Sequence, residues 1–239
     1  MRRNGWEIHS EIHARGKETD MTTEERPAAP SMPLLNEPAP DFDAPTTQGQ
    51  KKLSDYNGRW LVLFSHPADF TPVCTSEFVA FAQNYDKFQA LNADLLGLSV
   101  DGVQSHIAWM RNIEEKFGVE VKFPVIADIS MKVSSAYGMI HPGASSTAAV
   151  RAVFFIDPKG ILRAMVYYPL TNGRAIPEFL RLLEALQTTD AHQCSTPEGW
   201  QSGDKVIVPP PATLEAARKR KDEGYEYTDW YFSKRDLKK

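Results

Sequence analysis

The run Arg59-Trp-Leu-Val-Leu-Phe-Ser-His66-Pro67-Ala-Asp-Phe-Thr71-Pro-Val-Cys74-Thr-Ser-Glu77 decides the fold. Residues 60–65 are a short apolar run closed by a proline, the pattern of a buried strand. Beyond the run, Phe78, Phe81, Ala82, Tyr85, Phe88 and Leu91 recur at helical spacing. Thr71 suits an N-cap and Pro72 the first helical position, so Cys74 stands third, where a capping box carries Glu or Gln. A sulfur there meets unpaired backbone N–H groups and the positive end of the helix dipole, and both favour thiolate over thiol. The Thr71 hydroxyl lies close enough in sequence to join them. The competing reading is inert packing, because free cysteine is among the most buried residue types. The strand, the turn and the Thr-Pro-Val-Cys context together favour a reactive, accessible sulfur.

Elements alternate on the C-terminal side. Residues 94–101 read as a second strand, and 103–117 as a helix with Ile107, Met110, Ile113 and Phe117 on one face and Gly118 as its stop. A short strand at 124–128 and a short helix ending at Tyr137 follow. Residues 151–157, the turn Pro158-Lys-Gly160 and residues 161–168 carry a hairpin pattern, and a helix near 176–187 closes the unit. This order predicts an α/β domain with a mixed central sheet flanked by helices.

Composition then shifts. Residues 192–211 are rich in proline, glycine and polar side chains, with a strand candidate at 205–208 and the stiff spacer Pro209-Pro-Pro211. A helix is expected within 213–223, before the aromatic run 225–232. This tail is too poor in apolar residues for a core of its own and is expected to pack on the main domain or on a second subunit. The expected division is a disordered or extended segment 1–32, a main domain 33–188 and a C-terminal arm 189–239. Met21 is an alternative start within the polar N-terminal segment.

The 239 residues are 42% hydrophobic and 24% charged with a net charge of −4, values of an ordinary globular chain with no basic surplus for nucleic acid or anionic membrane. No stretch reads as a signal peptide or a membrane span. Two cysteines form no disulfide framework, which points to a reducing, cytoplasmic setting. A Cys-x-x-Cys pair for disulfide exchange is absent, and Thr-Ser-Glu-Phe-Val-Ala after Cys74 is wrong for a phosphate-cradling loop.

Residues 66–77 resemble the active-site motif of the peroxiredoxins. Arg151, Thr171-Asn-Gly-Arg174 and residues 196–209 are similar to the one-cysteine subgroup of that family, and the resemblance runs from 34 to 237. It implies a thioredoxin-like fold, an arm that packs across a homodimer or a larger assembly of dimers, and reduction of hydrogen peroxide and organic hydroperoxides in antioxidant defence. It implies no metal, haem or other cofactor. Cys74 would be the nucleophile, giving a sulfenic acid that an external thiol reduces. Thr71 would orient the peroxide, and Arg151 would stabilise the thiolate and the developing charge. Pro67 would shield the sulfur, or merely end the strand. Glu77 would orient an arginine, or serve as a favourable first-turn acid. Arg174 would pair with Glu77, or be a solvated loop residue. His66 would touch substrate or a partner chain, or simply be satisfied by hydrogen bonds.

Two-cysteine relatives place a resolving cysteine four residues before a tryptophan. Here that position is Thr196, ahead of Trp200, and Cys194 lies two residues earlier. Such a shift moves a sulfur by roughly 6–7 Å along an extended chain, comparable with the whole Cα span of a disulfide. A one-cysteine route is therefore expected. The alternatives are a two-cysteine peroxidase with Cys194 as resolving residue, or a non-enzymatic redox sensor or chaperone-like assembly. Phospholipase activity, which some members of the family carry, needs a serine in a Gly-x-Ser-x-Gly-like turn. The corresponding Asp55-Tyr-Asn-Gly-Arg-Trp60 has none, so no fatty acid should be released from phospholipid vesicles, and measurable release would contradict this.

Overall fold

The strand read from the sequence at Trp60–Ser65 is the centre of a seven-stranded sheet, and all six of its residues are buried. The computed structural model describes residues 32–237. The segment expected to be disordered or extended, and with it the alternative start at Met21, lies outside the described residues apart from Met32.

The elements run β1 (Asp43–Thr46), β2 (Gly49–Lys52), β3 (Trp60–Ser65), α1 (Pro72–Gln83), α2 (Tyr85–Ala90), β4 (Ala93–Ser99), α3 (Val103–Phe117), β5 (Val125–Ala127), α4 (Lys132–Ala136), β6 (Arg151–Ile156), β7 (Leu162–Tyr168) and α5 (Ile176–His192). The arm adds β8 (Val206–Ile207), α6 (Leu214–Lys219), β9 (Glu226–Asp229) and β10 (Phe232–Arg235). The main sheet has the order β2-β1-β5-β4-β3-β6-β7. Strands β3, β4 and β5 are parallel and joined through helices, while β6 runs antiparallel to β3 and β7 antiparallel to β6. This is the mixed α/β sheet expected from the sequence, and the helical crossovers supply the length that parallel neighbours require.

Side chains alternate across β3 and so divide the core in two. Trp60, Val62 and Phe64 face Phe78 and Phe81 of α1, Trp109 and Ile113 of α3, and Phe179 and Leu183 of α5. Leu61 and Leu63 face Phe42, Tyr137 and Phe154. With both faces covered, β3 reads as a continuous apolar run rather than an alternating one.

The differences from expectation have local causes. The helix foreseen from Phe78 to Leu91 breaks at Asn84, whose side-chain Nδ2 donates to the Ala80 carbonyl oxygen at 2.8 Å in competition with the helix ladder. In α3 the buried residues are His106, Trp109 and Ile113, whereas Ile107 and Phe117 are 43% and 53% exposed. Hydropathy correctly placed Ile113 and Met110 on the packed side but missed the edges of the face, because a buried polar histidine anchors it. Helix α5 runs five residues past the expected Gln187, to His192. Hairpin β1–β2 was missed because Gly49–Lys52 is a polar edge strand without apolar alternation.

The arm is a small sheet of order β8-β10-β9. Its apolar residues Cys194, Trp200 and Val206 pack with one another, with Leu237 and with Ala185 of α5, so this small cluster rests on α5 of its own chain. The α3 assignment is testable by urea denaturation. Ile113→Ala should cost about 2–5 kcal/mol and Ile107→Ala no more than about 0.5 kcal/mol, and similar losses at both positions would contradict it.

Candidate active site

Strand β3 ends at Ser65, whose hydroxyl donates to the Val150 carbonyl oxygen at 2.6 Å. The chain then turns through residues 66–71 into α1, with Thr71 in extended N-cap geometry and Pro72 first in the helix. Cys74 is therefore the third helical residue, as the spacing predicted. The Thr71 side chain does not cap the helix. Its hydroxyl donates to the Ala68 carbonyl oxygen at 2.9 Å, inside the turn, and is not aimed at the sulfur.

Arg151, the first residue of β6, reaches across from the neighbouring strand. Its Nη1 lies 3.4 Å from Cys74 Sγ and 2.7 Å from Glu77 Oε2, and its Nε donates to the Leu170 carbonyl oxygen at 3.0 Å. Glu77, one helical turn beyond Cys74, is the hub of the site, and its side chain is 2% exposed. Arg174 donates to the same carboxylate from its backbone N–H at 2.8 Å, from Nε at 2.9 Å and from Nη2 at 2.8 Å. Its Nη1 donates to the Ala152 carbonyl oxygen at 2.8 Å. The Arg174 guanidinium also lies 5.6 Å from the Phe64 ring centre and 5.9 Å from that of Phe81, a cation–π arrangement that helps hold a buried cation. Two arginines and one carboxylate leave a surplus of one positive charge beside the sulfur. An anionic sulfur neutralises it, and charge-assisted hydrogen bonds of this kind are the strong ones.

Cys74, Arg151, Glu77 and Arg174 are thus brought together, with Thr71 and the half-buried Pro67 in the adjoining turn. One expectation needs correction, and for His66 the burial favours the hydrogen-bonded alternative. Cys74 is fully buried, because α1 presses its first turn against the sheet and the neighbouring helices. His66 is also fully buried and meets neither solvent nor any surface open to a partner chain. Its Nε2 lies 2.9 Å from Asp69 Oδ1, and its ring packs edge-on to Phe78 at 4.7 Å and tilted to Trp109 at 5.1 Å. Burial pushes the His66 ring below its ordinary basicity.

Sequence reasoning missed Asp69 and His106. Their side chains meet at 2.8 Å in the core, and together with His66 they place three ligand-type atoms within 4.8 Å of one another. No spacing signal joins His106 to residues 37 positions away. Cys194 lies in the arm, its sulfur 3.9 Å from the Thr188 carbonyl oxygen, and burial pushes its thiol up. Both cysteines are free.

Residues 35–165 match the model of the AhpC/TSA family, and residues 185–224 match the C-terminal domain of 1-Cys peroxiredoxin. A peroxiredoxin of Aquifex aeolicus is 58% identical over 218 residues, covering 87% of this chain and 98% of its own. A peroxiredoxin of Thermotoga maritima is 53% identical over 207 residues, covering 84% and 96%. Among solved structures, the yeast mitochondrial 1-Cys peroxiredoxin superposes with a TM-score of 0.78 at 41% identity, covering 86% of this chain and all of the other. The reduced 2-Cys peroxiredoxin of Plasmodium vivax gives 0.68 at 30%, covering 73% and 93%.

Removing one partner from a buried ionic network leaves the others uncompensated. Glu77→Gln should therefore lower unfolding stability by about 3–5 kcal/mol in urea titration, and a loss below about 1 kcal/mol would show that the two arginines do not depend on it.

Proposed function

The chain belongs to the peroxiredoxin family and is a thiol-dependent peroxidase, and from that premise we propose that Cys74 is its peroxidatic sulfur and works by a one-cysteine route. The observation that carries this reading is the Arg151 guanidinium 3.4 Å from Cys74 Sγ, itself fixed by Glu77. The Cys74 thiolate attacks one oxygen of the hydroperoxide and the O–O bond breaks. The sulfur becomes a sulfenic acid, and the other oxygen leaves as hydroxide or alkoxide, which takes a proton. Arg151 stabilises negative charge on the sulfur beforehand and on the leaving oxygen as it forms. Nucleophilicity falls along with thiol basicity, so preorganised donors around the leaving oxygen have to supply much of the rate. The Thr71 hydroxyl, tied down as a donor to Ala68, keeps its lone pairs free to accept a hydrogen bond from the peroxide. Pro67 limits water at the sulfur. Because Cys74 is fully buried, substrate reaches it only when side chains over the first turn of α1 move.

An external thiol then condenses with the sulfenic acid, releasing water and forming a mixed disulfide, and a second thiol frees Cys74. The related yeast structure is described in terms of thiol resolution through glutathione and thioredoxin systems, which favours a reductant of that class here. Cys194 is poorly placed to resolve Cys74. It packs with Ala185, Trp200, Val206 and Leu237, apart from the cluster that holds Cys74, and burial keeps it a thiol.

The same proposal divides the chain into a peroxidase domain at 33–188 and an arm at 189–239 that dimerises with a second copy. In support, the arm leaves Leu214, Tyr227 and Trp230 exposed around a groove of about 590 Å³, with Tyr231 exposed as well. Cytoplasmic residence fits two unpaired thiols, and no described helix is long and apolar enough to cross a membrane.

Stopped-flow peroxide consumption and mass spectrometry test the route together. Cys74→Ser should reduce turnover to the rate of free cysteine, and Cys194→Ser should stay within about twofold of the unsubstituted protein. After stoichiometric peroxide, both the unsubstituted protein and Cys194→Ser should carry a one-oxygen adduct on Cys74. A Cys74–Cys194 disulfide would overturn the one-cysteine assignment.

A further inference from the structure

His106, in α3, has both ring nitrogens against oxygen acceptors. Nδ1 lies 2.8 Å from Asp69 Oδ2 and 3.0 Å from Oδ1, and Nε2 lies 3.1 Å from the Ile126 carbonyl oxygen of β5. A carbonyl oxygen accepts only, and so does an ionised carboxylate, so each contact requires a proton on nitrogen. Burial pushes the Asp69 carboxyl up, yet the hydrogen bonds and charge of His106 and His66 outweigh it and hold the group below the ordinary carboxylate range. His66 differs from His106. Its Nε2 lies 2.9 Å from Asp69 Oδ1, its buried Nδ1 has no partner among the described residues, and burial pushes its ring below its ordinary basicity.

The anchored segment is strained. Phe70 has φ of +56°, in the left-handed region that is costly for a bulky side chain. At 56% exposure, its own packing does little to keep it there. The restraints sit on its neighbours. Asp69 is held through its carboxylate by His66 and His106, and its backbone N–H donates to Asp101 Oδ2 at 3.0 Å, an oxygen that also accepts from the Ser99 hydroxyl at 2.6 Å. On the other side, Thr71 is tied to Ala68. His106 links this turn to α3 and, through Ile126, to β5 in the main sheet.

We propose that His106 is a buried imidazolium paired with the Asp69 carboxylate, and that this pair is the positioning element that holds the turn 67–71 in its strained form and so places Thr71 and Cys74. His106 acts through Asp69 and touches no substrate. Only the kinetic half of the claim rests on Cys74 being the peroxide-attacking sulfur.

Side-chain ¹⁵N NMR of the reduced full chain at pH 7 tests the charge directly. His106 should show protons on both nitrogens and His66 a bare Nδ1, and a neutral His106 tautomer would overturn the proposal. In kinetics, His106→Gln should lower kcat/KM for hydrogen peroxide at least tenfold. Adding Phe70→Gly, which takes positive φ freely, should restore activity at least severalfold, and loss without recovery would overturn the positioning role. If His106→Gln does not fold, the NMR result on the unsubstituted chain still decides the ion pair. Full activity in Cys74→Ser would defeat the Cys74 reading while leaving the NMR outcome standing.

Discussion

A single buried carboxylate organises the site. Glu77 accepts hydrogen bonds from Arg151 and Arg174, which arrive from β6 and from the loop after β7, and it sits one turn along the helix whose start carries Cys74. Two guanidinium groups in the core are untenable without such a partner. One carboxylate balances only half of their charge. The remaining positive charge is directed through Arg151 Nη1 at the sulfur, so the network that makes the arginines tolerable also stabilises an anionic cysteine.

The sheet makes this meeting possible. Because β6 pairs antiparallel with β3, the start of β6 lies at the end of β3 where α1 begins, and Arg151 falls opposite the first turn of that helix. The parallel β3–α1–α2–β4 unit covers the other side with Phe78 and Phe81, whose rings pack with Phe64. Aromatic packing and ionic pairing therefore share residues. Arg174 lies against the rings of Phe64 and Phe81 while it bonds to Glu77, and a change in either layer disturbs the other.

Much of the fold was legible from local pattern. The apolar run of β3, the Thr-Pro start of α1, the Gly118 stop of α3 and the β6–β7 hairpin each carry a signal a few residues long. What escaped depends on partners distant in the chain. The edge strand β2 has no apolar face and joins the sheet through its backbone ladder to β1, and α3 turns His106 rather than Ile107 inward because Asp69 and Ile126 satisfy the ring. The continuous helix expected through Tyr85 failed at Asn84 for a local reason, a side chain competing for a helix carbonyl.

The sequence by itself determined the alternation of strands and helices and the third-position cysteine, because propensity, capping and proline geometry act over a few residues. Tertiary structure alone decided the rest. It buried the Cys74 sulfur, closed Glu77 between two arginines, withdrew His66 into a hydrogen-bonded core and set Cys194 in the arm's own packing. These are matters of desolvation and charge balance, which depend on what the folded chain brings together in space.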